Sequence, residues 1–342
     1  MRLSVLDQST VVTGRSPDAS IRESLALVRH CEALGYHRYW VAEHHNSASI
    51  AGSAPEVLMA ALAATTSRIR IGSAGIMLPH YSALKVAEQF RVLEAIAPGR
   101  IDMGLGRAPG SDGLTAHALN PNAAQAADNF PADVRDLLAW LAGEPLVERH
   151  PFRTISAQPQ GPTIPEPWIL GSSTYGAQVA AHFGLPHCFA WFISDGHGAA
   201  QALDIYRTGY RPSERFPTPM GAVCVWAITA DTQAEAERLF SSRALARIWR
   251  DRGIFAPLPS PEEAAAYQYS NAENLKRDRL REDSFWGTPD VVANKLQALA
   301  TELQVEDVVV LSTAHDPAAR RRSYTLLAEE MGMFGKEKVA AE

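Results

Sequence analysis

Cysteine is scarce: Cys31, Cys188 and Cys224 are the only three in 342 residues, far apart and without a CxxC pair. A scattered, odd-numbered set speaks against a disulfide framework or a structural zinc site and suits a reducing cytoplasm. No apolar run approaches the roughly 20 residues of a bilayer-spanning helix. No basic segment and long apolar stretch precede the strand-like Leu3-Ser4-Val5-Leu6, so no secretory signal peptide is expected. Charge of one sign is not concentrated either. The net charge is −6 at pH 7 with Lys and Arg dispersed, which argues against a nucleic-acid partner. The densest basic run, Arg320-Arg321-Arg322, reads as a solvated helix face, and the mixed-charge tail 335–342 as a frayed end. These absences predict a soluble cytoplasmic protein without a membrane or nucleic-acid partner.

What is present is an apolar content of 46% in a regular alternation. Short apolar runs at 3–6, 38–42, 69–73, 101–105, 168–170, 188–193, 222–228 and 307–311 read as strands. Amphipathic stretches near 20–34, 55–66, 83–96, 125–142, 174–183, 197–208, 232–250 and 289–303, with a last at 316–330, read as helices. Pro55-Glu56 and Thr288-Pro289-Asp290 are helix starts, and Gly35 is a helix stop. Eight strands, each followed by a helix, predict an α/β fold, a (β/α)8 TIM barrel in one domain over 1–342. Two stretches depart from the repeat. Residues 144–167 carry six prolines, and 253–286 combine Pro257, Pro259 and Pro261 with a run of charge. Both read as insertions, fit to serve as a lid or a dimer contact.

Three segments following strands carry chemistry, and a barrel puts its active site at those strand ends. Gly171-Ser172-Ser173-Thr174 leaves a strand and enters a helix, where free N–H groups, the helix dipole and hydroxyls favour a phosphate; an ordinary N-cap has the same look. Arg107, ending another strand, supplies a guanidinium for phosphate oxygens. Gly104 and Gly106 empty one face of that strand, either for a flat ring or for tight strand packing. They do not begin a GxGxxG fingerprint, since Arg107, Ala108 and Pro109 follow. His44 and His45 point to opposite faces if the strand stays extended, so a paired metal site is not expected. One imidazole can serve a reacting proton, the other can be structural with Glu43 as its partner. Small residues in Ser73-Ala74-Gly75 admit a planar ligand, and Trp191 and Phe192 form either an apolar wall or core.

Taken in order, these segments resemble the luciferase-like monooxygenases, the flavin- or deazaflavin-dependent family of the bacterial luciferase subunits. The resemblance rests on Trp40-Val41-Ala42-Glu43-His44-His45-Asn46, Ile71 to Pro79, Ala87-Glu88-Gln89, Pro98 to Arg107, Trp168 to Ser173 and Gly287-Thr288-Pro289. It implies reduced FMN at the strand ends, a C4a-peroxyflavin that oxygenates a small organic substrate, a separate reductase supplying the reduced FMN, and a homodimer. By position, Arg107, Ser172, Ser173 and Thr174, with Gly171 in the same turn, would hold the phosphate. The Ala74–Gly75 link, in this family often a non-proline cis peptide, would lie against the isoalloxazine. His44 matches the catalytic histidine, with His45 beside it. Gly106 stands where the luciferase subunit has a reactive cysteine, which removes a thiol role there and makes light emission an unexpected outcome. The alternatives that the sequence leaves are an F420-dependent hydride transfer on the same fold and a flavin-binding protein without turnover.

Overall fold

Runs of β-branched and aromatic residues between polar turns become the strands, and the period-3.6 stretches between them become helices. The computed structural model describes residues 1–333. Among these are β1 (Arg2–Asp7), β2 (Arg38–Val41), β3 (Arg70–Ser73), β4 (Ile76–Met77), β5 (Ile101–Gly106), β6 (Glu166–Gly171), β7 (His187–Phe189), β8 (Gly221–Thr229), β9 (Phe285–Gly287) and β10 (Asp307–Leu311). Eight of them pair in parallel in the order β10-β1-β2-β3-β5-β6-β7-β8, and β8 pairs back to β10. The barrel is closed, as the alternation of strand and helix predicts. The two-residue β4 adds to the end of β5, and β9 to the end of β8.

Period-2 alternation divides each strand between two cores. Val5, Tyr39, Ile71, Met103, Val225 and Val310 face outward into the layer under the helices. Leu6, Trp40, Trp168, Cys188, Cys224 and Val309 fill the barrel itself. Room for the two tryptophans comes from glycine: a Cβ at Gly72 would stand 2.5 Å from Trp40 Cδ1 and 2.7 Å from Asp102 Cβ.

The amino-terminal end of the barrel is plugged by charge. Arg38 reaches Asp102 at 2.7 Å, Glu166 at 3.0 Å and Asp307 at 3.3 Å, and Arg70 reaches Asp102 at 2.5 Å. The Trp40 indole N–H donates to Asp102 at 2.8 Å. Burial alone would raise the Asp102 pKa, but the charges of Arg38 and Arg70 hold it below the usual carboxylate range.

Four expectations change. The run 320–322 is not uniformly solvated: Arg320 is buried, donating to Asp7 Oδ1 at 2.9 Å and to the Ser312 carbonyl at 2.7 Å. The reason is Asp7, a buried carboxylate at the end of β1 that needs a counter-charge. The strand expected at 188–193 is only His187–Phe189, because the chain turns at Ala190 and Trp191–Ser194 is a short helix. The stretch 125–142 divides into Ala123–Asp128 and Phe130–Ala142 at Asn129, ahead of Pro131. The helix expected at 232–250 is formed, as Gln233–Asp251, but off the outer ring. Pro289–Leu303 takes the ring position between Ala199–Thr208 and Pro317–Glu330, while Gln233–Asp251 packs on Pro261–Ala266 and Asn271–Asp283. Three helices thus cover the carboxyl end of the barrel, beginning well before residue 253. Between Ala142 and Glu166 there is no helix or strand. Arg91 holds that segment by donating to the carbonyls of Pro159 and Thr163 at 2.8 and 2.9 Å. Among the described residues no helix is long and apolar enough to cross a membrane, and no group of His, Cys, Asp and Glu is arranged to hold a metal ion. The tail 335–342 lies outside the described residues.

Candidate active site

A cavity of about 650 Å³ opens at the carboxyl ends of the strands, under the three-helix cover. That is within the usual range of roughly 300–1,000 Å³ for ligand pockets. Its floor is the top of the barrel core: Leu6, Trp40, Leu170, Cys188, Cys224 and Leu311. Burial pushes both floor thiols up in pKa, so they stay protonated and inert.

The end of β2 divides its two imidazoles as pleating requires. His44 lines the cavity, and its Nδ1 is buried without a hydrogen-bond partner among the described residues. Burial, then the neighbouring His45, lowers the His44 pKa to about 4, so its ring is neutral near pH 7. His45 lies outside the cavity lining and donates from Nε2 to the buried Glu43 Oε1 at 2.8 Å. Glu43 also accepts from the Tyr81 hydroxyl at 2.7 Å and from the Met77 N–H at 2.9 Å. A three-way clamp on a carboxylate fixes the backbone on both sides of His44. Glu43 as a partner was legible from its neighbour in sequence; Tyr81 and the Met77 amide were not.

Next to His44, after β3, stands the Ala74–Gly75 link, which is a cis peptide. Both residues line the cavity, as does Gly106 at the end of β5. Gly104 does not line it. A Cβ there would run into the Ser73 carbonyl oxygen, and the Ser73 hydroxyl donates to the Gly104 carbonyl at 2.8 Å. Of the two glycines on that face, one serves strand packing and the other lines the cavity beside the flexible Met77 side chain.

The third wall is the turn after β6. Gly171, Ser172 and Ser173 line the cavity with Tyr175 and Gly176, whereas Thr174 stands behind them as the first residue of helix Thr174–Phe183. Ser173 is the N-cap yet makes no side-chain capping bond. The donors of that first turn are therefore not consumed by the protein's own hydroxyl. Arg107 lies across from the turn with its guanidinium 4.0 Å from the Tyr175 ring centroid, and it makes no ion pair among the described residues. Phe192 borders the cavity, while Trp191 packs edge-on against Phe285 at 6.2 Å.

A fourth wall was not anticipated from the sequence. Helix Gln233–Asp251 presents Arg243, Arg247 and Arg250 to the cavity. Their spacing of four and three residues was a readable signal, since it places all three on one helical face. Arg247 is neutralised by Asp195 at 2.6 Å and donates to the Phe192 carbonyl at 3.0 Å. Arg243 sits 5.3 Å from the Trp226 ring centroid. Burial and the charges of Arg247 and Arg250 bring its pKa down to about 9, and Arg250, for burial and Arg247, to about 10.

These walls suit a phosphorylated planar cofactor. An uncapped helix start and the Arg107 guanidinium stand at one rim, small residues line the flank, and His44 lines the space between. The sequence profile of the family described as "Luciferase-like monooxygenase" matches residues 1–306. A "Luciferase-like monooxygenase" of Escherichia coli K12 is 40% identical over 324 residues, 94% of this chain and 95% of that protein. An "N-acetyl-S-alkylcysteine monooxygenase" of Bacillus subtilis 168 is 34% identical over 96% of this chain and 98% of its own length. The crystal structure of apo-MsnO8 superposes with a TM-score of 0.89 at 35% identity, covering 98% of this chain and 99% of that one. The chain belongs to the luciferase-like monooxygenase family.

Proposed function

We propose that the protein is a flavin-dependent monooxygenase that takes reduced FMN from a separate reductase and inserts one oxygen atom of O2 into a small organic substrate. One observation carries the reading: His44, whose buried Nδ1 has no partner among the described residues, and the uncapped start of helix Thr174–Phe183 line the same cavity. When bound, reduced FMN supplies the activation of O2; the protein supplies everything around it. Arg107, the Ser172 and Ser173 hydroxyls and the free N–H groups of the turn would hold the phosphate dianion. Ala74, Gly75 and Gly106 would admit the ring, because no side chain larger than a methyl projects from them. Leu6, Leu170 and Leu311 below and the helical cover above keep water from the reacting centre. His44, neutral at working pH, accepts a proton on one ring nitrogen while donating from the other. His45 acts at one remove, by fixing Glu43.

Titration of the purified protein with oxidised and dithionite-reduced FMN, followed by oxygen-uptake measurements, tests this. The expected result is binding of reduced FMN that weakens at least tenfold in Arg107→Met. His44→Asn is expected to retain binding and to lower oxygenation by about 10²-fold or more, the usual scale for a lost acid–base group. Absence of FMN binding in both redox states would overturn the reading. Selective binding of F420 without O2 consumption would replace it with hydride transfer.

A further inference from the structure

The covering helix Gln233–Asp251 carries more positive charge into the cavity than its surroundings neutralise. Of the three arginines on that face, only Arg247 has a carboxylate in contact, Asp195 at 2.6 Å, with Asp251 at 3.8 Å. Arg243 and Arg250 make neither an ion pair nor a side-chain hydrogen bond among the described residues, though both line the cavity. A half-buried, unpaired guanidinium against an apolar wall is costly, and two of them at one opening call for an anion.

The position of Arg243 separates that anion from the cofactor phosphate. In the circular strand order β10-β1-β2-β3-β5-β6-β7-β8, strand β10 stands opposite β5. Arg107 follows β5, and the Ser172-Ser173 turn follows the adjacent β6. Arg243 lies instead over Trp226 of β8, whose indole N–H donates at 2.8 Å to Thr313, just beyond β10. Around the ring, β8 stands three strands from β5 and two from β6, so Arg243 is set apart from Arg107 and the turn after β6. With the cofactor phosphate seated by Arg107 and that turn, Arg243 is left for a second anion. The cavity that Arg243 lines is also walled by Leu258, Ile254, Phe255 and Leu311, which suits an occupant with an apolar body as well as a charge.

We propose that Arg243, seconded by Arg250, anchors an oxyanion on the organic substrate, a carboxylate or sulfonate borne by an otherwise apolar molecule. This inference rests on the monooxygenase reading for the identity of the occupant as substrate. It assigns Arg243 to specificity: the anion is held at the β8 and β10 side while the apolar portion extends across the floor toward His44. Arg247, already neutralised, positions the helix against the segment after β7.

The experiment is calorimetric titration of the cofactor-free protein with octanoate, octane-1-sulfonate and octan-1-ol, with FMN titrated separately. The unsubstituted protein is expected to bind either anion at least tenfold more tightly than the alcohol. Arg243→Met/Arg250→Met is expected to bind anions and alcohol alike, with FMN affinity within twofold of the original. Arg243→Lys, which keeps charge but loses the planar fork, is expected to retain part of the preference. No preference for anions in the unsubstituted protein would overturn the proposal, whatever the variants do. So would a tenfold loss of FMN affinity in the double variant, which would give these arginines to the cofactor. Failure of FMN binding in the unsubstituted protein is a different result and counts against the monooxygenase reading alone.

Discussion

A single methyl group separates two kinds of glycine on β5. Gly104→Ala puts a Cβ against the Ser73 carbonyl oxygen, a backbone atom that cannot step aside. The expected loss is on the order of 1–3 kcal/mol in urea unfolding, with FMN affinity following stability. Gly106→Ala meets the Met77 sulfur at 3.3 Å, on a flexible side chain, and the Ile76 carbonyl oxygen at an ordinary 3.7 Å. It is expected to leave stability nearly unchanged while weakening FMN binding. The sequence places both residues on one face but does not distinguish them, because the difference lies in what stands opposite, the rigid carbonyl of β3 or a movable methionine at the cavity edge. Histidine gives a second residue-scale expectation. His44 and His187 both have pKa values lowered to about 4 by burial, against 6.5 when exposed. Above pH 6.5 both are neutral whether the chain is folded or not, and they leave stability independent of pH. As the pH falls from 6.5 toward 4 the unfolded chain takes up protons that the fold refuses. Stability then falls by up to about 1.4 kcal/mol per pH unit for each histidine. Urea midpoints between pH 7 and 4.5 should show this slope, reduced by about one proton in His187→Asn.

Helices report their amphipathicity in sequence but not which surface they cover. The 232–250 stretch is as readable as any in the chain, yet it bridges the barrel mouth where a ring helix was expected. The deciding contact is β9 on the end of β8, a pairing of residues 285–287 with 227–229 that no local pattern announces. Once β9 continues the wall, Pro289–Leu303 follows it down the outside and the earlier helix is left above. What holds it there is aromatic: Phe240 stacks on Trp286 at 5.2 Å and meets Trp226 edge-on at 6.1 Å. Phe240→Ala is expected to cost about 3–5 kcal/mol locally. Hydrogen exchange should quicken in 233–251 and 271–283 and stay slow in β1 and β5. By contrast, the cavity-lining places of the turn after β6 and of His44 after β2 were legible, though not that of His45, because strand ends in a barrel are set by position along the repeat.

Closure of the whole barrel depends on its first and last elements meeting. β1 pairs with β10 from Arg2–Asp307 to Leu6–Leu311, and Arg320 of the final described helix neutralises Asp7 at the end of β1. Arg320→Met leaves that carboxylate buried without its cation and is expected to cost about 3–5 kcal/mol. Asp7→Asn/Arg320→Met should recover much of this, and a double-mutant cycle in urea unfolding measures the coupling. The barrel itself was legible from eight apolar runs and the helices between them; the pairing of residue 7 with residue 320 was not, since it exists only after closure. The plug of Arg38, Arg70, Asp102, Glu166 and Asp307 completes the design at the other end. It shuts the amino-terminal end of the barrel, so the cavity is reached from the side where the strands finish. A ligand seated on the Leu6 and Leu311 floor would be covered by any second one that enters after it, which couples the release of the two.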